Sequence, residues 1–394
     1  MTQRKGKILF IGRYAGFDGG VERYEHTVAM LLRRNGYEVC CAYQEKGREF
    51  ENFSAGFRRM LPLEEVLADS VEYSLVAVHK LSDPALLKKL LEKFREKLVL
   101  FMHDHDPYCP RSYYYIPFGR RNCQRAYHPL ICGACAMLSN PRSWPNGILG
   151  KLKHVLFSFA ETLRLYREFP KVVVLSEFMR QNLLRNGFSA SGIQLLSPFV
   201  ESAEQPCSIK VASPPRLLFV GQLIRGKGAD LLLRLLPLLR QPYRVDLVGE
   251  GKDHALLVAL ASSLGVADRV EFSGWSPTPE EKMAVADLAV FPFRWQEPFG
   301  LVVAECAAAG LPVAAFAQGG VAESLVHGET GLLAAPGDLA ELAGHCDRLL
   351  GDAALRQQMG QRGREWVRSK FSQEQVLVGY KALLTRIAAA SGGE

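Results

Sequence analysis

The chain has 394 residues, 48% of them hydrophobic and 23% charged, with a formal net charge of +7. That length suits two domains of ordinary size, and no apolar run approaches the length needed to span a bilayer. The charge is uneven: residues 1–200 hold 29 Lys+Arg against 19 Asp+Glu, and residues 201–394 hold 19 against 22. The basic half suits an anionic surface or acidic partner. No helix-turn-helix or RNA-binding signature accompanies it, so nucleic acid is not the expected partner.

In chain order, the basic residues Met1 to Lys7 are followed by an apolar run of only Ile8 to Ile11. That run is too short for a signal peptide and reads as a first strand, so a cytoplasmic protein is expected. Nine cysteines, several isolated in apolar segments (Cys40, Cys41, Cys306), fit a reducing compartment. A Gly-rich loop, Gly16 to Gly20, leads into a periodic segment, Val21 to Arg34, with Val21, Tyr24, Val28, Leu31 and Leu32 on one face. Asn35-Gly36 ends it, and Tyr37 to Tyr43 is the next strand. Gly19 and Gly20 would let backbone N–H groups approach a phosphate at a helix N-terminus. The alternative is a plain turn.

Strands are expected at 71–79 and 97–102, with a helix at 84–96 between them. His103-Asp104-His105-Asp106 follows the second strand. A D-x-D spacing can hold a divalent metal; here it reads as coincidental. Residues 106–145 form a Tyr-, Arg- and Pro-rich insertion with Cys109, Cys123, Cys132 and Cys135. Four thiols in a poorly periodic loop suit a structural tetrahedral zinc, against the alternative of four unrelated cysteines. Ile148 to Phe169 is amphipathic and reads as a core-packing helix with a basic solvated face. Strand 171–176, helix 178–186 and strand 193–197 close a first domain, 1–200. The polar, proline-containing stretch 201–215 reads as a linker.

A second run of strand–helix alternation follows over 216–372: strand 217–221, helix 229–240, strand 243–248, helix 252–263, strand 269–273, helix 279–286 and strand 288–292. Beyond these come an apolar run at 312–316, a helix from 321 and Gly331-Leu332-Leu333. Residues 373–394 read as a last helix packing back on the first domain. Two such runs make an α/β protein of two doubly wound, Rossmann-like domains.

The segment Glu297-Pro298-Phe299-Gly300-Leu301-Val302-Val303-Ala304-Glu305 organises the second domain. It reads as strand, loop, Glu297, helix from Gly300, then Glu305 about two turns inside. The free N–H groups of Phe299, Gly300 and Leu301 favour an anion or a polar sugar edge. Gly221-Gln222-Leu223-Ile224-Arg225-Gly226-Lys227-Gly228 sets basic groups beside a Gly-rich turn, which suits a diphosphate.

The paired glutamates Glu297 and Glu305 resemble the motif of the retaining GT-B glycosyltransferases of family four (glycosyl transferases group 1). Gly19-Gly20-Val21-Glu22, Lys227-Gly228, Val248-Gly249-Glu250-Gly251, Ser273-Gly274-Trp275 and Gly319-Gly320-Val321-Ala322-Glu323 match other segments of that family, and the likeness spans residues 7–385. Two departures stand out: Gln222 occupies the usual arginine position, and Ser197-Pro198-Phe199-Val200 replaces Asn-Gly-Val.

The resemblance implies a GT-B fold and transfer of a hexose-type sugar, with retention, from a nucleoside-diphosphate sugar of UDP or GDP type. The acceptor would be an envelope glycan or a lipid-linked glycan, met at an anionic membrane surface on the cytoplasmic side. Lys227, with Arg225 or Gln222, would hold the diphosphate, and Glu305 the ribose. Glu297 and the Phe299, Gly300 and Leu301 amides would hold sugar hydroxyls. Gly249 and Trp275 would line the base, Gly19 and Gly20 would reach the diphosphate, and His103 would contact the transferred sugar. No cofactor is required for that catalysis. The competing reading is a non-catalytic GT-B relic that binds a nucleotide sugar or scaffolds an envelope assembly.

Overall fold

Parallel strands buried on both faces need near-continuous apolar runs, and the chain supplies them twice. In the computed structural model, which describes residues 6–116, 121–137, 158–201 and 214–391, these runs form two parallel sheets. The chain divides into two units, Met1–Phe199 with Gln373–Glu394, and Val200–Ser372.

The first unit contains β1 (Lys7–Ala15), β2 (Glu38–Lys46), β3 (Arg59–Pro62), β4 (Leu75–Val78) and β5 (Leu98–Met102). A small antiparallel pair, β6 (Tyr115–Ile116) and β7 (Arg121–Asn122), precedes β8 (Lys171–Val174) and β9 (Ile193–Leu195). The seven-stranded sheet runs in the order β3-β2-β1-β4-β5-β8-β9. Strand succession reverses between β1 and β4, so the loops after those strands diverge at their carboxyl ends and open a crevice there. Local chemistry sets the helices around it. Asp83 caps Pro84–Phe94 by accepting from the N–H groups of Ala85 and Leu86, with Pro84 at the first position. Ser176 caps Glu177–Arg185 by accepting from the Met179 N–H.

The last helix, Gln373–Ser391, belongs to this first unit. It buries Val376, Tyr380, Leu383 and Ile387, at helical spacing. Tyr380 stacks near Phe101 of β5, ring centroids 6.0 Å apart.

The second unit contains β10 (Arg216–Val220), β11 (Arg244–Val248), β12 (Val270–Gly274), β13 (Leu288–Phe291), β14 (Val313–Phe316) and β15 (Gly331–Ala334). Their order is β12-β11-β10-β13-β14-β15. Its reversal lies between β10 and β13. The apolar triplets of β10 (Leu217, Leu218, Phe219) and the whole of β13 are fully buried in one core.

Several expectations need correction. The helix from 229 ends at Leu235 and continues only as a 3₁₀ turn, Leu236–Leu238, because Pro237 has no N–H for the ladder. No α-helix starts at 321; Gly320–Glu323 is one 3₁₀ turn. The helix with the second glutamate begins at Leu301, so Glu305 is its fifth residue, little more than one turn in. Helices Leu339–Gly351 and Ala353–Lys370, and the edge strand β3, had not been singled out. Most of the linker 201–215, and residues 148–157 of the amphipathic segment 148–169, lie outside the described residues; the described part of the latter holds helix Phe159–Arg167.

Candidate functional site

In the second unit the loops after β10 and β13 meet at the sheet's reversal point. A 3₁₀ turn, Arg225–Lys227, ends at Gly228 and opens helix Ala229–Leu235. The other loop runs from Pro292 to Gly300 into helix Leu301–Ala308. They are clamped by backbone: the N–H groups of Arg294 and Trp295 both donate to the Gly226 carbonyl, at 2.9 and 3.2 Å. The approach excludes side chains. A Cβ on Gly226 would sit 1.8 Å from the Trp295 ring, and one on Gly228, whose φ is +82°, would sit 2.0 Å from the Pro292 carbonyl. From the other side the Gly320 N–H donates to the Glu297 carbonyl at 2.7 Å.

This clamp brings Lys227 and Glu297 together. Nζ lies 2.8 and 2.9 Å from the two carboxylate oxygens. The carboxylate is nearly buried and the lysine about a quarter exposed, at 11% and 27%. A charge-assisted pair of this kind at the mouth of a sheet presents one cation and one anion side by side. It can hold a phosphate oxygen on one side and a hydroxyl on the other.

The other predicted residues of this unit are placed as follows. Gln222, three residues before that turn, and Arg225, its first residue, are exposed. Gly249 follows β11, and its N–H donates to Gly274 at 2.7 Å; Trp275 comes next and is half-buried. Gly300 is the helix N-cap, with φ +86°, and Glu305 is partly exposed. The Phe299 side chain is buried against Phe371, ring centroids 5.2 Å apart, so only its backbone is left to meet a ligand.

Sequence reasoning missed the supporting layer. The Arg294 guanidinium pairs with both carboxylate oxygens of Asp230 and donates to the Arg225 carbonyl at 2.9 Å. Gln318, buried, donates to the Arg294 carbonyl at 2.5 Å. No local pattern announces these partners, which lie 64 and 24 residues from Arg294.

In the first unit, Gly19 is the N-cap of helix Gly20–Arg34, and the space at Gly20 is open, with no atom within 4 Å of a Cβ built there. His103 directly follows β5 and is partly exposed. Its Nε2 lies 2.7 Å from His79 Nδ1. Burial, and then the Lys80 ammonium, push its imidazolium pKa down to about 3, so the ring is neutral. Burial and the neighbouring His103 likewise hold His79 well below the usual histidine range. Lys80 pairs with Asp104 at 3.1 Å and Asp106 at 3.6 Å. The D-x-D carboxylates therefore face a lysine.

The described residues give no support to the zinc expectation. Among the described residues, no three His, Cys, Asp or Glu side chains are grouped to hold a metal. Cys109, Cys123, Cys132 and Cys135 are all described and none is in a disulfide. Burial pushes the Cys109 thiol up to about 11 and raises that of Cys132. Cys132 accepts the His128 N–H at 3.3 Å, and Cys135 lies 3.8 Å from the Arg111 guanidinium.

Two Rossmann-like units of this kind define a class, the GT-B fold. The solved structure of HepE from Anabaena, in complex with UDP and glucose, superposes with a TM-score of 0.73 at 19% identity, covering 96% of this chain and 99% of that one. Residues 204–366 match the family model described as glycosyl transferases group 1. Among curated relatives, a glycogen synthase of Mycobacterium tuberculosis is 30% identical over 241 residues, 59% of this chain and 57% of that one. A lipopolysaccharide core biosynthesis glycosyltransferase, LpsE, of Rhizobium meliloti is 31% identical over 173 residues, 44% of this chain and 50% of that one. The chain thus spans about half the length of these two curated relatives.

Proposed function

We propose that this protein is a retaining glycosyltransferase that moves a hexose-type sugar from a nucleoside-diphosphate sugar, of UDP or GDP type, to a cell-envelope glycan or glycolipid. The observation that carries the reading is the Lys227–Glu297 pair at the sheet reversal, one turn before the helix that bears Glu305. Lys227 holds the diphosphate, with Arg225 adding charge where Gln222 has none. Glu297 and the Phe299–Leu301 amides hold sugar hydroxyls, Glu305 the ribose, and Gly249 with Trp275 the base. Gly19 and Gly20 offer N–H groups, and His103 contacts the transferred sugar. The sugar C1–oxygen bond to the diphosphate breaks, the bond to the acceptor oxygen forms on the same face, and the acceptor proton passes to the leaving diphosphate. Lys227 offsets the charge that develops there. No metal or other cofactor is needed for this chemistry.

The acceptor is met at the cytoplasmic face of the membrane. No described helix is long and apolar enough to cross a membrane. Leu130 and Ile131 are 71% and 48% exposed on helix Pro129–Met137, with exposed Arg121 and Arg125 just upstream. Apolar tips beside basic residues suit an anionic lipid surface. Sedimentation with phosphatidylglycerol vesicles tests this: Leu130→Ser with Ile131→Ser should weaken retention, and equal retention on neutral and anionic vesicles would refute the surface.

The donor reading is tested by thermal shift and nucleotide release with UDP-, GDP- and ADP-sugars. Stabilisation by one nucleotide sugar, with slow release of nucleotide, supports it and names the donor. Stabilisation without release, even with membrane extract added, favours a binding relic, for which the uncharged Gln222 speaks. No stabilisation by any donor sinks both.

A further inference from the structure

Behind His103, at the carboxyl ends of the first unit's strands, lies a buried polar group that the proposed chemistry does not use. It comprises His79, immediately after β4, and Glu25, on helix Gly20–Arg34. Both are 1% exposed. His79 Nδ1 is 2.7 Å from His103 Nε2 and 3.7 Å from Glu25 Oε1. Aromatic rings pin the pair: Phe101 stacks on His79 at 4.8 Å, and Tyr24 sets its edge to His103 at 5.1 Å. The two imidazoles lie within 17° of parallel.

We propose that His79 is a positioning residue that fixes the tautomer of His103, so that His103 presents its Nδ1–H as a donor to the bound substrate. Only one proton can lie between the two nitrogens. His79 Nε2 is buried and has no hydrogen-bond partner among the described residues. If His103 donated, His79 would carry its own proton on Nε2, a buried N–H with nothing to receive it. If His79 donates, Nε2 is left with only a lone pair. Orphaned buried N–H groups are rarer than unused acceptor lone pairs. The nitrogen that a histidine leaves free is set by the bond that the other one makes.

The charged and titratable groups facing this pair are Glu22, Tyr24 and Glu25 on the first helix, Lys80 beside His79, and Tyr380 on the last helix. Lys80 disfavours the imidazolium, and burial keeps Glu25 protonated. A neutral His103 with Nε2 already accepting cannot serve as a base toward the substrate. It can only donate, which suits an acceptor oxygen such as a sugar hydroxyl. This last step rests on the donor-sugar reading above; the tautomer itself does not.

The test uses full-length protein labelled with ¹⁵N-histidine and long-range ¹H–¹⁵N correlation, with His103 assigned by comparison with His103→Gln. The expected result is His103 in the Nδ1–H form. His79→Asn, whose amide nitrogen falls near the Nδ1 position, should preserve it. His79→Phe should switch His103 to the Nε2–H form. Finding Nε2–H in the unsubstituted protein overturns the proposal without any variant and without any transfer assay. In the kinetic arm, His79→Phe should lower kcat on the order of 10- to 100-fold at nearly unchanged donor KM, and His79→Asn should recover most of it. Equal losses in the two variants would mean a structural role only.

Discussion

Lys227 Nζ touches both carboxylate oxygens of Glu297, 70 residues downstream, at 2.8 and 2.9 Å. A cation proposed for the diphosphate and an anion proposed for the sugar thus hold each other in position. Lys227→Ala should lower sugar transfer on the order of 10²- to 10³-fold, and Glu297→Gln should weaken it through the sugar hydroxyls. Steady-state kcat/KM with the stabilising donor decides this; unchanged rates in both variants would remove the pair from the site. The pair's coupling to stability should be about 1 kcal/mol or less, because the lysine is open to solvent. A double-mutant cycle in urea measures that separately.

The glycine clamp predicts a gradient of costs. Gly226→Ala must displace the Trp295 ring, and Gly228→Ala meets the Pro292 carbonyl with φ at +82°. Each should cost about 1–3 kcal/mol and reduce donor stabilisation in thermal shift. Gly265→Ala, at φ +66° with no atom within 4 Å, carries conformational strain alone, about 1 kcal/mol, and should leave donor binding intact. Equal loss of binding in all three would contradict a local clamp.

Glu25 sets a pH signature. Burial, aided by Glu22, holds its carboxyl well above 4.5, so the folded protein keeps a proton that the unfolded chain releases. This group therefore weakens folding as pH rises above about 4.5, by at most ~1.4 kcal/mol per pH unit. In Glu25→Gln that slope is absent, so the variant should gain on the parent as pH climbs from 4.5 toward 8. Chemical denaturation at three pH values reads the gap; a constant gap would show Glu25 ionised in the fold. His79 and His103 act oppositely. Their lowered pKa values make the parent lose stability as pH falls below 6.5.

Lys80 between Asp104 and Asp106 predicts indifference to metal chelators. EDTA and Asp104→Asn should both leave transfer unchanged, and metal analysis should find no stoichiometric zinc on the four insertion thiols. Loss of activity or of melting temperature on chelation would reinstate a metal.

Much of the fold was legible because its signals are local. The apolar runs of β10 and β13, the Asp83-Pro84 start of a helix and the buried stripe Val376, Tyr380, Leu383, Ile387 each announce themselves within a few residues. Short elements fared worse. Gly320–Glu323 reads like a helix start, yet its backbone is bound to the Glu297 loop instead.

By itself, the sequence determined two runs of parallel α/β structure and the residue types at the loop ends, including Lys227, Glu297, Glu305 and His103. Strand alternation and turn chemistry are properties of short segments, so they survive without tertiary context. Only the tertiary structure decided that Lys227 meets Glu297, that Arg294 and Gln318 support them, and that His79 and Glu25 stand behind His103. Those contacts depend on strand order, because loops become neighbours where succession reverses between β10 and β13 or between β1 and β4. That reversal is settled by how whole layers bury their apolar faces, which no local pattern records.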